Sequence, residues 1–136
     1  MSATSDKDNE EQFTVKVTGS VTGEQWYGVF KAKKRLSHRD RLNRDKLRRD
    51  LLGGDGKGAE VDAVSISEAI AEITIRLTES PKWWSESANG LDLADSNVIS
   101  EVYQKVLKVE QEAFDLIKKK AEEAEKALKE TVKEAE

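Results

Sequence analysis

The sequence predicts a mostly helical α+β fold, in which an N-terminal β-hairpin is followed by three helices and the last helix is long and extended. Apolar and polar residues alternate only between residues 13 and 33, which is the period of a half-buried strand. After residue 36 the apolar residues recur at spacings of three and four, which is the helical period. The charged fraction is 37% of a 136-residue chain, so we expect a small core for the chain length.

The predicted hairpin follows an acidic tail. Residues 1 to 12 are polar and lack periodicity, so we expect them to be disordered. The first strand is predicted from residue 13 to 18, the turn from 19 to 23 and the second strand from 25 to 33. A lone hairpin is marginal in water, so its apolar face must pack on a helix or join another sheet, and its edge is a candidate assembly surface. The predicted inward residues are Phe13, Val15, Val17, Trp26, Gly28, Phe30 and Ala32.

A basic helix is predicted next. Ser37 has the character of an N-cap, and Asp40 occupies the third helical position that completes a capping box. Gly53 follows the last helical residue and is typical of a helix end. Several aspartates lie four residues from arginines, so we expect ion pairs along this helix. Its sparse apolar stripe consists of Leu42, Leu47 and Leu51.

The second helix is predicted to form the centre of the core. Residues 53 to 63 indicate a flexible loop, and Ser65 with Glu68 predicts a capping box at the helix start. The helix is expected to continue until Pro81. Its apolar face consists of Ile66, Ala69, Ile70, Ile73 and Leu77.

The last helix is predicted to have a packed part and a charged part. Asn89 and Gly90 indicate a turn, and Asp95 or Ser96 is expected to cap the helix. The charged part, residues 118 to 136, carries only the weak heptad stripe Ala121, Ala124, Leu128, Val132 and Ala135, which is typical of a coiled-coil partner or a solvated helix. We therefore divide the chain into an acidic tail, a hairpin plus helical domain and a charged helical extension, at residues 1–12, 13–117 and 118–136. The packed part carries the large apolar residues Val98, Ile99, Val102, Tyr103, Val106, Leu107, Phe114 and Ile117.

Catalytic and metal-binding motifs are not supported by the residues. The glycine-rich run from residue 53 to 58 differs from a phosphate loop, because Lys57 is followed by Gly and not by Ser or Thr. His38 is the single histidine, and Asp92 and Asp95 precede a helix, where capping is the expected role. We therefore expect neither an enzyme nor a metal or other cofactor. The chain has no cysteine, signal peptide or membrane-spanning run, which favours the cytoplasm and argues against a membrane partner.

Positive charge is concentrated in the first predicted helix. Residues 31 to 50 hold ten bases against three aspartates, a balance of +7 within a chain whose net charge is −4. Such a surface could follow a phosphate backbone. The nearby aspartates and the lack of aromatic residues among the bases instead favour a solvated or protein-docking face, so we do not expect nucleic acid as a partner. The candidate basic surface consists of Arg35, Arg39, Arg41, Arg44, Arg48 and Arg49.

The aromatic corner between the second and last helices is the predicted binding site. Trp83 and Trp84 are adjacent, and Trp is the residue type most enriched at binding hot spots. Two neighbouring residues cannot face the same way, so we expect one buried and one partly exposed tryptophan. The candidate partner-binding residues are Trp83, Trp84, Leu91, Leu93, Tyr103 and Trp26.

These segments resemble a known family. The run LTESPKWW at residues 77 to 84, with NGLDL at 89 to 93 and NVISEVY at 97 to 103, is similar to tail assembly chaperones of long-tailed, siphovirus-like bacteriophages. The run WYGVF at residues 26 to 30 and the helix from 36 to 54 resemble the front half of those proteins.

The resemblance covers about residues 13 to 117, and the charged segment after Ile117 departs from it. It implies a non-enzymatic protein of the host cytoplasm that binds the tape measure protein, keeps it soluble and helps recruit the tail tube protein. Self-association is a further expectation. Two alternatives stay open, namely a structural virion protein of the tail or neck, and a nucleic-acid-binding adaptor that uses the basic helix at residues 35 to 50.

Overall fold

The structure is a computed structural model that describes residues 8–54, 58 and 60–135. It confirms the mostly helical α+β fold with a long last helix. Beyond the hairpin it adds a third short strand, and beyond the predicted helices it adds one turn of helix at the aromatic corner. The elements are β1 (Glu10–Thr18), β2 (Gln25–Lys33), α1 (His38–Leu52), α2 (Val61–Arg76), β3 (Leu77–Glu79), α3 (Lys82–Glu86) and α4 (Ser96–Ala135).

The sheet is antiparallel, with β2 between β1 and β3. Its strand period is as predicted, since Val15, Phe30 and Ala32 are buried. The first strand begins at Glu10, three residues earlier than predicted, because polar residues 10 to 12 pair with residues 31 to 33 and complete the hydrogen-bond ladder. The predicted limit of the tail at residue 12 is therefore wrong, and residues 1 to 7 lie outside the described part of the chain.

Strand β3 replaces the predicted end of the second helix. Leu77 pairs with Ala32 and Glu79 with Lys31, so this segment adds a third strand beside β2. Pro81 lies two residues further on, and a proline disfavours helical conformation in the residue before it. The hairpin edge that we expected to be a free assembly surface is thus covered on the β2 side, and β1 forms the outer edge.

Helix α1 has the predicted ends. The Ser37 hydroxyl accepts a hydrogen bond from the Asp40 N–H at 3.1 Å, and the Asp40 carboxylate accepts one from the Ser37 N–H at 3.0 Å. Gly53 ends the helix in the left-handed conformation, with φ of 77°. The predicted apolar stripe is only partly correct, because Leu42 is 73% exposed. Leu47 and Leu51, one and two turns further along α1, are partly buried.

Helix α2 begins at Val61, four residues before the predicted capping box. Residues 61 to 64 contain no glycine or proline, so nothing stops the helix from extending back to Glu60, and Ser65 and Glu68 lie inside it. Ile66 is 42% exposed, contrary to expectation. The buried residues of the helix include Ile70 and Ile73, as predicted. Residues 55 to 57 and 59 of the predicted loop lie outside the described residues.

The core lies between the inner face of the sheet, α2 and the first part of α4. Its buried residues are Val15, Phe30, Ala32, Ile70, Ile73, Trp84, Ile99, Val102 and Val106. Along α4 the last buried residue is Val109, and Ala113 is the last partly buried one. The packed domain therefore ends near residue 113 and not at 117, because α4 continues beyond the elements that cover it.

Helix α4 is one continuous helix of 40 residues. At 1.5 Å per residue it is roughly 60 Å long. Every residue from 114 to 133 is exposed. Within the described residues, no helix is both long and apolar enough to cross a bilayer.

Candidate interaction surface

Trp84 is a core residue. Its side chain is fully buried, and its ring lies edge-on to Phe30 at 5.8 Å between ring centroids. Gly90 closes the following turn with φ of 93°, and a Cβ at this position would lie 2.6 Å from Cη2 of Trp84. Only glycine accepts that backbone conformation so close to a ring. Trp84 therefore offers no surface to a partner in this fold, which corrects its place among the candidate binding residues.

Trp83 and Trp26 join the aromatic corner to the sheet. The Trp83 indole N–H donates to the carbonyl oxygen of Tyr27 at 2.8 Å. Its ring lies 4.9 Å from that of Trp26, tilted by 48°. Both tryptophans are only partly buried, so the division between one buried and one partly exposed residue at 83 and 84 is confirmed. Both indole N–H groups donate within the protein, that of Trp26 to the Asp95 carboxylate at 3.0 Å.

The remaining candidate residues do not form one continuous surface with the tryptophans. Leu93 and Tyr103 are partly buried and pack against the core. Leu91 is 47% exposed at the turn before α4. Burial raises the pKa of the Tyr103 hydroxyl, and the nearby carboxylates of Glu72 and Glu68 raise it further. Tyr103 thus stays neutral beside them.

Asp95 holds the β1–β2 turn, a role that the sequence did not reveal. Its Oδ1 accepts the N–H groups of Val21 at 2.7 Å and Thr22 at 2.8 Å. Its Oδ2 accepts the Thr22 hydroxyl at 2.6 Å and the Trp26 indole N–H at 3.0 Å. The hydrogen bond from the Thr22 hydroxyl is the main cause that lowers the pKa of Asp95 to about 2. Asp95 lies immediately before α4, where a capping residue was predicted, and its main-chain carbonyl accepts the Val98 N–H at 3.0 Å. Its carboxylate does not complete the cap, because the side chain turns towards the hairpin.

The basic surface predicted on α1 is partly neutralised by ion pairs. Arg44 lies 3.2 Å from Glu72 on α2, and Arg48 lies 2.9 Å from Asp45. Arg49 also pairs with Asp45, which confirms one of the pairs expected at a spacing of four residues. Half of the six candidate arginines are therefore engaged with carboxylates. The other three, Arg35, Arg39 and Arg41, are exposed.

The longest uncovered apolar surface lies on α4 beyond the domain. We call residues 114–135 the arm and its apolar line the arm stripe. Spacings of three and four place the stripe residues on one face of the helix. A continuous exposed apolar surface of this kind marks an interaction site, whereas single exposed apolar residues do not. The stripe consists of Phe114, Ile117, Ala121, Ala124, Leu128 and Val132, and its four large members are 61%, 49%, 64% and 54% exposed.

At the inner end of the stripe lies a cleft, which we call the basic cleft. It has a volume of about 480 Å³ and lies between α4 and the segment that joins β2 to α1. Leu36, Phe114 and Ile117 give it apolar walls. Its polar residues are Lys34, Arg35, Arg41, Glu110 and Gln111, so positive charge exceeds negative charge. The cleft and the stripe together offer apolar area next to basic groups, the combination that fits an amphipathic helix with acidic flanks.

No metal site is found in the described residues, where no group of three or more His, Asp or Glu side chains converges. His38 is exposed at the first position of α1. Residues 55 to 57 of the run that superficially resembles a phosphate loop lie outside the described part.

The fold and this surface define a small α+β domain from which an amphipathic helix projects into solvent. No family model, curated protein or solved structure matches the chain. The similarity to phage tail assembly chaperones thus stays a prediction from the residues that carry it.

Proposed function

We propose that this protein is a non-enzymatic tail assembly chaperone of a long-tailed bacteriophage. In the host cytoplasm it would bind the tape measure protein and keep it soluble while tail tube subunits are recruited. The observation that carries this proposal is the arm stripe, an apolar helix face that the domain leaves uncovered. The resemblance of residues 77 to 103 to that family supplies the identity of the client.

The physical basis is the match between the arm and a long helical client. A helix that presents apolar residues at spacings of three and four packs against another amphipathic helix, with large side chains as anchors. Phe114, Ile117 and Leu128 are such anchors, and each is about half exposed or more. Charged residues cover the rest of the arm, so a complex with an apolar client would remain soluble.

The test is co-expression of the chain with the tape measure protein of the same phage. We expect the client to be soluble and to co-purify only when this chain is present. Ile117→Glu places a charge at a large apolar anchor of the contact and should abolish both effects. Lys126→Glu, on the outer face of the same helix, is the matched control and should retain them. Client capture by Ile117→Glu at the level of the native chain would contradict the proposed surface.

The composition of purified particles separates the chaperone from a structural virion protein. A chaperone leaves when the tail is complete, so mass spectrometry of purified virions should not detect this chain, while lysates of infected cells should. A fixed number of copies in every particle would overturn the chaperone assignment in favour of a tail or neck component.

A further inference from the structure

We propose that the arm binds a second copy of this chain as an antiparallel two-stranded coiled coil, in which the tip of each arm lies in the basic cleft of the other copy. The arm stripe is exposed along its whole length, and nothing within the described chain covers it. Self-pairing needs no client, and a client that binds the same stripe would compete with it.

The heptad register of the arm supports an antiparallel pair. Phe114, Ala121 and Leu128 occupy a positions, and Ile117, Ala124 and Thr131 occupy d positions. In an antiparallel pair each a residue faces a d residue, so Ile117 meets Leu128 of the second copy and Phe114 meets Thr131. The two alanines meet at the centre and allow the helices to approach closely. Thr131, the polar residue in this register, is already satisfied, because its hydroxyl donates to the carbonyl oxygen of Ala127 at 3.0 Å.

The charges that flank the stripe are complementary in the same alignment. Lys118 and Glu125 occupy e positions, and antiparallel pairing places Lys118 of each copy beside Glu125 of the other, so that two opposite-charge pairs form. In the single chain Glu125 lies 3.4 Å from Lys129 on the helix surface. That pair is exposed and therefore weak, so the carboxylate is available for a second cation at little cost.

The basic cleft distinguishes the antiparallel from the parallel alignment. We call residues 130 to 136, which in the sequence hold three glutamates against one lysine, the acidic tip. Antiparallel pairing brings this acidic tip to the cleft wall formed by Lys34, Arg35 and Arg41. A parallel pair would leave the cleft without an acidic partner. Its flanking ion pairs would have to form between Lys120 of one copy and Glu125 of the other. The volume of about 480 Å³ leaves room for apolar side chains of the tip, such as that of Val132.

Charge reversal tests the pairing without disturbing the domain, because both e residues are exposed. Sedimentation of the full chain should show a monomer and dimer in concentration-dependent exchange. Lys118→Glu and Glu125→Lys should each weaken the dimer by about tenfold, since two attractive pairs become repulsive. The double variant, and an equimolar mixture of the two single variants, should regain the native dimer. Lys126→Glu on the outer face is the control and should dimerise normally.

A purely monomeric native chain at the highest attainable concentration would overturn the proposal, as would a mixture of single variants that dimerises no better than either alone. Because the chain has no cysteine, introduced thiols report the direction of pairing. Ala121→Cys mixed with Ala124→Cys should give mainly the mixed disulfide. Disulfide formation mainly in Ala121→Cys alone, together with loss of the dimer in Lys120→Glu, would show parallel helices and contradict the antiparallel pair.

Discussion

Asp95 joins two elements that are far apart in the chain, the β1–β2 turn and the start of α4. All four of its hydrogen bonds are made to residues 21, 22 and 26, and the side chain is fully buried. A buried carboxylate is costly unless its lone pairs are satisfied, and here the turn supplies the donors. The ionised form of Asp95 is thus part of the native fold.

We predict that Asp95→Asn lowers the melting temperature at neutral pH, because the amide nitrogen would face a donor of the turn. The pKa of Asp95 falls from 3.8 to about 2 on folding, so its contribution is present above pH 3.8 and is lost as the pH falls towards 2. Thermal melts of the variant should therefore depend less on pH in that window than those of the native chain. Asp92→Asn, an exposed substitution in the same loop, is the control. Equal acid sensitivity of native and Asp95→Asn chains would contradict the role of the carboxylate.

Local chemistry explains which residues could be predicted from the sequence. Ser37 and Asp40 of the capping box lie three positions apart, so the sequence alone indicates it, and the structure confirms it. The partners of Asp95 lie 69 to 74 residues away in the chain. A side chain before a helix is expected to cap that helix, and only the tertiary approach of the hairpin redirects it. Trp83 and Trp84 were found as candidates because their residue type and their position can be read from the sequence alone. How deeply each ring is buried depends on the turn that Gly90 closes.

Arg76 couples α2 to α4 through a buried ion-pair network. Its side chain is 4% exposed and lies between Glu72 on its own helix and Glu110 on α4, with 2.9 Å between its Nη1 and the Glu110 carboxylate. Glu72 also binds Arg44, so the network continues to α1. Three helices are therefore held at one point by charge as well as by apolar packing.

We predict that Arg76→Ala destabilises the domain by about 2 kcal/mol, because Glu110 loses its cation and the buried Glu72 keeps only Arg44. Urea denaturation would measure the change. Arg49→Ala is the matched control, since Arg49 pairs with Asp45 on an exposed helix surface and its loss should have little effect. Similar denaturation midpoints for both variants would show that the buried network adds no stability.

The third strand shows where prediction of the elements failed. Leu77 continues the helical spacing of Ile70 and Ile73, so the periodicity alone predicts a longer helix. Its strand partner, Ala32, is distant in sequence, and a three-residue strand has too short a pattern to be recognised. The existence of the hairpin and of the three long helices was predicted correctly, because each has a recognisable period, whereas the start of β1 and both ends of the helix Val61–Arg76 were not.

At the scale of the whole molecule, the chain is a packed domain with an exposed helical extension. The sequence predicted the extension, but it placed the limit at residue 117 because Phe114 and Ile117 are as apolar as core residues. Apolar character does not tell whether a neighbouring element covers a side chain. The structure shows that none of the residues from 114 to 133 is buried.

We predict that truncation after Lys120 leaves the melting temperature nearly unchanged, because residues 121 to 133 are all exposed. The truncated chain should nevertheless lose self-association and client capture, since Leu128 and the acidic tip are gone. Calorimetry and sedimentation on the same samples would measure both effects. A large drop in melting temperature would mean that the tip packs back on its own domain.

The hydrogen bonds between Asp95 and the β1–β2 turn have a mechanical consequence for the arm. Asn97, the second residue of α4, donates to the Thr18 carbonyl at 2.8 Å and accepts the Ser20 N–H at 2.8 Å, beside the contacts of Asp95. The base of α4 is thus fixed to the sheet, while residues 121 to 135 extend roughly 22 Å past the last arm residues that line clefts with the domain. A force applied to the far end of the arm would be transmitted along the single helix α4 to the β1–β2 turn. The hairpin therefore holds the helix in place against that force.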